Sequence, residues 1–412
     1  MKLILIILSL CLYATSYGQN IPNQKKQKGG KWQKKVYVNK RLTVEQKGDK
    51  WYKMFDYPKA VKYYELSDSL STDGLRKLTD AYEKIYKYDI SLLMYRELMK
   101  REDLVAEDYF NFANSLKINM YYKEADIWMK KFHEMSPKDM RGKSNISVLD
   151  ESASLLENRG VFEVSNVDFN SEQQEFGACF YRDQLVYSAN APRKGIIIKL
   201  YNWSNQTFLD LYVVHRDSLN EFSRHEFASK FNKKFHEGTL AFTDDYERMY
   251  YTSNNYEEES EDGTSKLQLY ITEMDDLGEW KDEVAFQHNN PEYSIGHPWV
   301  SKDGRTLYFS SDKPGGYGGV DLYTSTMDAD SVWSTPENLG PTINTEGDEM
   351  FPFYIEEHEI FTFSSNGHFG LGGLDIYSCS LHKGVYGKIN NFGQPLNSSH
   401  DDFGLIFTED MA

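Results

Sequence analysis

Residues 296–312 read GHPWVSKDGRTLYFSSD, and residues 318–323 read GGVDLY. The pattern recurs, with substitutions, in three other stretches: residues 360–366 (IFTFSSN) with 372–377 (GGLDIY), 249–254 (MYYTSN) with 267–270 (LQLY), and 185–190 (LVYSAN) with 209–212 (LDLY). A period of roughly 50 to 60 residues built from short β segments is typical of a β-propeller, in which each period forms one blade. We therefore expect blades that start at about residues 176, 237, 296 and 350, with an incomplete fifth blade from residue 402.

Each copy contains alternating apolar runs that are separated by turns. The turn at residues 301–304 ends in a glycine, which can take the positive φ that a tight hairpin needs. In the next run Leu307 and Phe309 fall on one face, which can pack against a neighbouring blade. After the third run come an aromatic residue and a polar bend that holds Asn290, Asn344 or Asn397. The pattern therefore predicts four strands in each blade.

The two ends of this repeat region decide whether the ring closes. Residues 161–164 align with residues 385–386, so the propeller is expected to open with a fourth strand that could complete the last blade. The fifth copy stops soon after its first strand, and the chain therefore looks truncated relative to its own repeat. We expect residues 159–412 to form an open or incompletely closed ring of four blades plus a fragment.

The N-terminal third carries a second kind of repeat. Residues 41–140 fit a degenerate tetratricopeptide (TPR) pattern, with aromatic and small residues at helix-packing positions. The small residues Ala60, Ser91 and Ala125 allow paired helices to approach closely. We therefore expect a TPR-like α-solenoid at residues 41–140, followed by a capping helix and linker at residues 141–158.

The first helix of each predicted pair would form a concave groove, the usual binding face of helical repeats. This groove is mostly acidic and is a candidate site for a basic or mixed peptide. The alternative is an ordinary solvated helix face, since charged helix surfaces are common. The candidate protein-binding residues are Glu45, Asp49, Tyr52, Arg76, Asp80, Glu83, Phe110, Asn114 and Lys117.

The N-terminus predicts export. Residues 1–18 have a lysine, a short apolar run and small residues before Gln19, as in a cleavable signal peptide, and the run is too short to span a bilayer. Residues 19–40 then form a lysine-rich arm. The arm either contacts anionic lipid or an acidic partner, or is a disordered mature terminus. We expect a periplasmic protein without a membrane span, and the outer membrane is its candidate place of association.

Charge and cysteine content exclude several classes of protein. The formal net charge of −17 disfavours nucleic-acid binding. After the signal peptide the cysteines are Cys179 and Cys379, which fall at non-equivalent places in different blades. Two buried free thiols are therefore favoured over a disulfide, although an exported protein could form one.

The sequence contains no recognisable catalytic, cofactor or metal motif. A nucleophile elbow, a zinc-protease helix motif and phosphate-binding glycine fingerprints are all absent. The recurring acids Asp210, Asp321 and Asp375 could form a ring for a cation, but repetition in the blades favours carboxylates that cap their own glycine turns. The sequence therefore predicts a protein that is not an enzyme and has no cofactor.

The order of signal peptide, helical repeats and blades resembles a known family. The motifs at residues 307–323 and 360–377 are similar to those of periplasmic OmpA-family proteins of Bacteroidetes with TPR and WD40-like (PD40, TolB-type) repeats, of the PorE-like kind associated with type IX secretion. The resemblance covers nearly the whole mature chain. In that family a C-terminal OmpA-like domain usually binds peptidoglycan; this chain lacks such a domain, so we do not expect it to anchor to peptidoglycan.

Two functional hypotheses follow. The resemblance and the two repeat folds predict a periplasmic scaffold or adaptor that binds envelope proteins at the outer membrane, with type IX secretion or gliding machinery as the candidate partners. The alternative is a propeller that binds a glycan or small ligand, or that forms the regulatory part of a split hydrolase. A cluster of polar and aromatic side chains at the central channel would favour the alternative.

Overall fold

The computed structural model describes residues 4–5, 42–147, 152–157, 162–190, 200–216 and 222–407. Apart from residues 4–5, the predicted signal peptide (1–18) and basic arm (19–40) lie outside these residues. No helix within the described ranges is long and apolar enough to cross a bilayer.

Seven helices fill the N-terminal part of the chain, and a short eighth helix follows. Polar side chains cap the first turns of some of them: Thr43 and Gln46 form a capping box, and Ser71 accepts a hydrogen bond from the backbone of Gly74. The helices are α1 (Val44–Lys53), α2 (Tyr57–Glu65), α3 (Thr72–Lys84), α4 (Tyr88–Leu98), α5 (Ala106–Ile118), α6 (Tyr122–Met135), α7 (Met140–Ser147) and α8 (Ser152–Leu155).

The first six helices pack in consecutive pairs. Ala60, Ser91 and Ala125 are fully buried, as expected for small residues where helices cross closely. The turn inside each pair carries one residue with positive φ, and these are Phe55, Tyr86 and Met120, at spacings of 31 and 34 residues. This regularity agrees with a helical repeat, while the assignment to the TPR class stays a prediction.

Four antiparallel sheets follow, and they form the four predicted blades. A separate two-stranded pair joins β1 (Ile4–Leu5) to β2 (Glu163–Val164). The blades are β3 (Glu175–Tyr181), β4 (Gln184–Ala189), β5 (Asp210–Arg216) and β6 (Phe222–Glu226); β7 (Glu237–Phe242), β8 (Arg248–Asn254), β9 (Leu267–Glu273) and β10 (Val284–Ala285); β11 (Ile295–Val300), β12 (Thr306–Ser311), β13 (Asp321–Thr326) and β14 (Glu337–Asn338); and β15 (Glu349–Ile355), β16 (Ile360–Ser365), β17 (Asp375–His382), β18 (Val385–Tyr386) and β19 (Asn390–Asn391).

The first strand of each blade faces its neighbours around the central axis, with β3 against β7, β7 against β11, and β11 against β15. Each of these strands is interrupted by a bulge near its start. At the bulge Gly177, His297 and Phe351 have φ values of 63°, 51° and 53°. The side chains of His297 and Phe351 stack with ring centroids 4.1 Å apart, so the axis is filled by packed side chains.

An asparagine in the polar bend after the third strand forms hydrogen bonds to the backbone of that strand. In the third blade the amide of Asn344 accepts a hydrogen bond from the Leu322 backbone N–H at 2.8 Å and donates to its carbonyl at 3.0 Å. Asn397 does the same for Ile376. In the second blade Asn289 makes the corresponding hydrogen bonds to Leu269. The side-chain amide thus makes the hydrogen bonds to the third strand that the backbone of a fourth strand would otherwise make. At this point the chain has turned away from the sheet.

In the described residues, β2 is not the strand that could have completed the last blade. Strand β2 pairs with β1, and the fourth blade draws its outer strands from β18 and β19. Residues 401–407 instead run without strand pairing between the fourth and first blades. There Phe403 stacks on Phe351 at 4.6 Å and contacts Phe176 at 6.0 Å.

The acids of the glycine turns and the two cysteines lie in the blades. Asp321 accepts hydrogen bonds from the backbone N–H groups of Tyr317 and Gly318, and Asp375 accepts one from Gly372, so these acids cap their glycine turns as predicted. Cys179 and Cys379 are free thiols, also as predicted. Burial raises the pKa of Cys179 to about 12, which leaves the thiol protonated and unreactive at neutral pH.

Candidate functional site

The helical part and the propeller pack directly against each other. Trp203, from the β4–β5 connection, is buried among the helices, where its ring lies 4.9 Å from Tyr57 and 6.4 Å from Phe55. The Trp203 indole N–H donates a hydrogen bond to the carbonyl of Lys84 at 2.9 Å. On the other side, the Met140 backbone N–H donates to Glu346 Oε2 at 2.9 Å.

The turn between α3 and α4 covers one mouth of the central channel. The side chain of Tyr86 packs on an apolar cluster at the start of the first strands, which includes Phe176, Met350 and Phe403. Next to it, the ring of Tyr88 lies 5.4 Å from that of His400. The turn between α3 and α4 therefore packs directly on the chain's own propeller.

Between the two parts lies a cavity of about 300 Å³, which we call the interdomain cavity. Its helical wall includes Asp80, Glu83, Lys84, Phe110, Asn114 and Arg141. Its propeller wall includes Trp203, Glu346, Asp348, Asn366, His400 and Asp401. A concave space with convergent charged and aromatic groups is the usual form of a ligand site.

Two carboxyl groups on α3 dominate the helical wall. Asp80 Oδ2 accepts a hydrogen bond from the hydroxyl of Tyr52 at 2.7 Å, and Glu83 Oε2 accepts one from Tyr95 at 3.4 Å. Burial, reinforced by the charge of Asp80 and opposed by Lys84, raises the pKa of Glu83 to about 8. Glu83 is therefore largely protonated at neutral pH unless a positive charge comes close to it.

The propeller wall carries a second pair of carboxyl groups. Asp348 accepts a hydrogen bond from the Asn366 amide at 3.1 Å, and Asp401 accepts one from the Leu374 backbone N–H at 2.8 Å. Burial raises the pKa of Asp348, and it raises the pKa of Asp401 to about 6. The two walls thus face each other with acidic groups that are costly to ionise together.

The cations in the cavity wall are Lys84, which lowers the pKa values of Glu83, Asp348 and Asp401, and Arg141. Arg141 forms a bidentate pair with Glu107, with both N–O distances 2.9 Å, and its guanidinium lies 4.2 Å from the ring centroid of Phe110. The ammonium of Lys84 lies 5.4 Å from the Trp203 ring. Carboxyl groups therefore outnumber cations around the cavity.

The structure brings some of the predicted groove residues together and separates others. Asp80, Glu83, Phe110 and Asn114 line the interdomain cavity. Lys117 is buried, with its ammonium 5.8 Å from the ring of Phe369 on the propeller. Burial lowers its pKa, and Asp375 and Asp126 oppose that shift.

The remaining predicted groove residues bind neighbouring helices. Arg76 makes a bidentate pair with Asp108 at 2.7 and 2.8 Å. Asp49 accepts hydrogen bonds from Tyr64 and Lys77, and Glu45 accepts one from the Ser71 backbone, while Tyr52 donates to Asp80. The peptide-binding role of the nine residues stays a prediction, and four of them are available to a ligand only through the interdomain cavity.

Sequence reasoning missed the residues on the propeller side of the cavity. Trp203 lies in the longest of the four connections between second and third strands, and this length, with its aromatic residues, was the available signal. Asp348 and Asp401 precede the first strands of successive repeats, but nothing in their spacing indicates that a helical layer covers them.

A second cavity, of about 440 Å³, lies at the opposite end of the first strands. Its lining is mainly aromatic and aliphatic and includes Trp299, Phe353 and Ile406, with Asp244 and Glu356 at the rim. The polar cluster that would favour a ligand-binding channel is therefore found in the interdomain cavity and not at this end. In the described ranges no group of three or more His, Cys, Asp or Glu side chains is placed to hold a metal ion.

Comparison with known proteins gives distant structural matches. No protein-family model and no curated protein matches the sequence. Solved structures that resemble the chain include TolB from Acinetobacter baumannii, with 16% identity, a TM-score of 0.28, and coverage of 44% of this chain and 37% of TolB. An alpha-L-arabinofuranosidase from Lactobacillus brevis shows 11% identity, a TM-score of 0.33, and coverage of 55% and 73%. A prolyl endopeptidase shows 11% identity, a TM-score of 0.29, and coverage of 53% and 29%.

These neighbours correct one prediction. The sequence predicted that the chain is not an enzyme, and this prediction is wrong. The solved structures that resemble the chain include arabinofuranosidases and a prolyl endopeptidase. At such low identity and TM-scores the likeness assigns no substrate or mechanism to this chain. The chain also spans little more than a third of TolB, at 37%.

Proposed function

We propose that this chain is a periplasmic scaffold that binds an envelope protein at the outer membrane, as the resemblance to PorE-like proteins of type IX secretion implies. The helical repeats and the propeller are docked through Trp203 and Glu346, so they act as one platform and not as two tethered modules. Repeat folds of both kinds offer broad surfaces for protein partners.

Exposed apolar side chains on α4, on α6 and in the turn before α6 carry this proposal, and we call them the outer-helix patch. Leu93 on α4 and Ile127 on α6 occupy equivalent positions in consecutive repeats and are 58% and 56% exposed. Met120 and Tyr121 are also exposed, and the Arg96–Glu124 ion pair holds α4 beside α6. Clustered exposed apolar side chains with a polar surround are typical of protein-binding surfaces.

Site-specific photocrosslinking tests the proposal. A crosslinker placed at Leu93 or Ile127 in the chain expressed in its own cells is expected to give a defined adduct with an outer-membrane protein. The same crosslinker at Asp330, an exposed residue of a propeller loop, is the matched control and should give none. Equal labelling from all three positions, or no adduct at Leu93 and Ile127, would reject the scaffold role of this patch.

A further inference from the structure

The interdomain cavity combines features that the scaffold role does not use. Its walls carry Asp80 and Glu83 from α3 and Asp348 and Asp401 from the propeller. Asp401 is 4% exposed, so the fold places its carboxyl group deep within the cavity wall. Lys84 and Arg141 offset the charge of these carboxyl groups only in part, because the carboxyl groups in the cavity wall outnumber them. Burying such an excess of carboxyl groups is unfavourable, and a ligand of opposite charge would reduce that cost.

Glycine residues fix the carboxyl groups on the propeller wall. A Cβ at Gly319 would lie 2.4 Å from Asp348 Oδ1, and a Cβ at Gly373 would lie 2.1 Å from Asp401 Oδ1. Both glycines belong to the repeated GGVDLY and GGLDIY motifs. The two aspartates thus occupy equivalent, preformed positions in consecutive repeats.

The cavity is aromatic as well as acidic. Tyr86, Tyr88, Tyr95, Phe110 and Trp203 all contribute to its lining. Aromatic rings attract organic cations through their quadrupole, and carboxylates bind the same groups through charge-assisted hydrogen bonds. A volume of about 300 Å³ accommodates a small molecule or a long basic side chain.

We propose that the interdomain cavity binds an organic cation, a guanidinium or primary ammonium group, between Glu83 on the helical wall and Asp348 and Asp401 on the propeller wall. The cation is held by these carboxyl groups and lies against the rings of Trp203 and the tyrosines. A neutral sugar would also fit aromatic walls, but it would not offset the charge of the facing carboxyl groups. The ligand is either a free amine or a basic side chain of a peptide.

Calorimetric titration of the full chain tests this site. N-acetyl-arginine amide and N-acetyl-lysine amide are the cationic probes, and N-acetyl-citrulline amide is the neutral isostere of the first. At least one cation is expected to bind at least tenfold more tightly than citrulline amide. A tripeptide with a central arginine, compared with agmatine, distinguishes a peptide source from a free amine. Equal affinity for citrulline amide, or binding of a neutral oligosaccharide in preference to all cations, would overturn the proposal.

Matched variants locate the site. Glu83→Gln preserves shape and removes the acid, and it is expected to weaken cation binding at least tenfold. Glu97→Gln, on the exposed side of α4, should leave binding unchanged. If Glu83→Gln proves unstable, fluorescence of Trp203 supplies a second measurement: cation addition should change the emission of the native chain, and Trp203→Phe should abolish that change. Cation binding that Glu83→Gln leaves intact, or emission changes that persist in Trp203→Phe, would place the cation elsewhere and reject the site.

Discussion

The repeated Gly-Gly dipeptide shows how one residue type fixes the contact between blades. Neither Gly318 nor Gly372 has positive φ, so the usual reason for a glycine in a turn does not apply. A Cβ at Gly318 would lie 2.0 Å from the carbonyl oxygen of Gly347, and one at Gly372 would lie 2.4 Å from that of His400. The dipeptide is therefore required because the backbone of the next repeat passes directly over it.

The close approach of the backbone predicts unequal effects of two glycine substitutions. Gly372→Ala is expected to destabilise the fold by about 3 kcal/mol, because the new methyl group collides with backbone that cannot move away. Gly384→Ala, at a positive-φ position with open space around it, should cost only about 1 kcal/mol. Urea unfolding of both variants gives the comparison. A cost for Gly372→Ala no larger than for Gly384→Ala would show that close approach is not the reason for the dipeptide.

At the scale of elements, the sequence predicted the blades well and the relation between the two repeat units poorly. Strand alternation and hairpin turns are local, so the runs around Leu307 and Phe309 were sufficient to place β12 and its turns. Four of the nine predicted groove residues line one cavity, while the concave groove itself stays a prediction. The packing of the propeller over these residues depends on contacts between segments that are far apart in the chain, such as Trp203 with Tyr57. Such contacts leave no periodic pattern in the sequence.

Trp203 is expected to control the docking of the helices on the propeller. Trp203→Ala removes a fully buried ring and its hydrogen bond to Lys84, at a cost of about 3–5 kcal/mol. Hydrogen exchange of α3 should then quicken while the propeller strands stay protected. Trp280→Ala, in an aromatic cluster inside the propeller, is the control and should leave exchange in α3 unchanged. Unaltered protection of α3 in Trp203→Ala would mean that other contacts hold the two parts together.

The raised pKa of Glu83 predicts how the docked state responds to pH. Its pKa is about 8 in the folded chain and near the usual 4.5 when unfolded, so folding favours the protonated form. The contribution of protonated Glu83 to the free energy of unfolding is fully present below about pH 4.5 and is lost as the pH rises through 8. Asp80, Lys84 and Tyr95 face it from the helices, and Asp348 and Asp401 from the propeller.

Without ligand, the native chain should therefore lose stability between about pH 5 and pH 8.5. The loss is less than roughly 1.4 kcal/mol per pH unit, because partial access of the carboxyl group to the cavity screens its charge. The stability of Glu83→Gln should depend less steeply on pH and should exceed that of the native chain at pH 9. The stability of Glu97→Gln should follow the native curve. Thermal unfolding across this pH range measures the effect, and parallel curves for the native chain and Glu83→Gln would refute it.

For the whole molecule, the ring of blades is completed by packing and not by strand pairing. The first three contacts between blades join neighbouring first strands, but between β15 and β3 the chain inserts residues 401–407. The sequence identified these residues as the start of a fifth copy, because Phe403-Gly404 repeats Phe176-Gly177. It did not indicate that this short segment would fill the gap, since that depends on the angle at which four blades meet.

Phe403 should therefore stabilise two blades at once. Its ring stacks on Phe351 in the fourth blade and contacts Phe176 in the first, so Phe403→Ala opens a cavity on both sides and is expected to cost about 3–5 kcal/mol. Because the loss is shared, hydrogen exchange should rise together in β3 and β15, while β11 is less affected. Phe222→Ala, at an exposed position of β6, is the control and should change neither. If exchange rises in one of the two strands alone, residues 401–407 belong to that blade and do not bridge the ring.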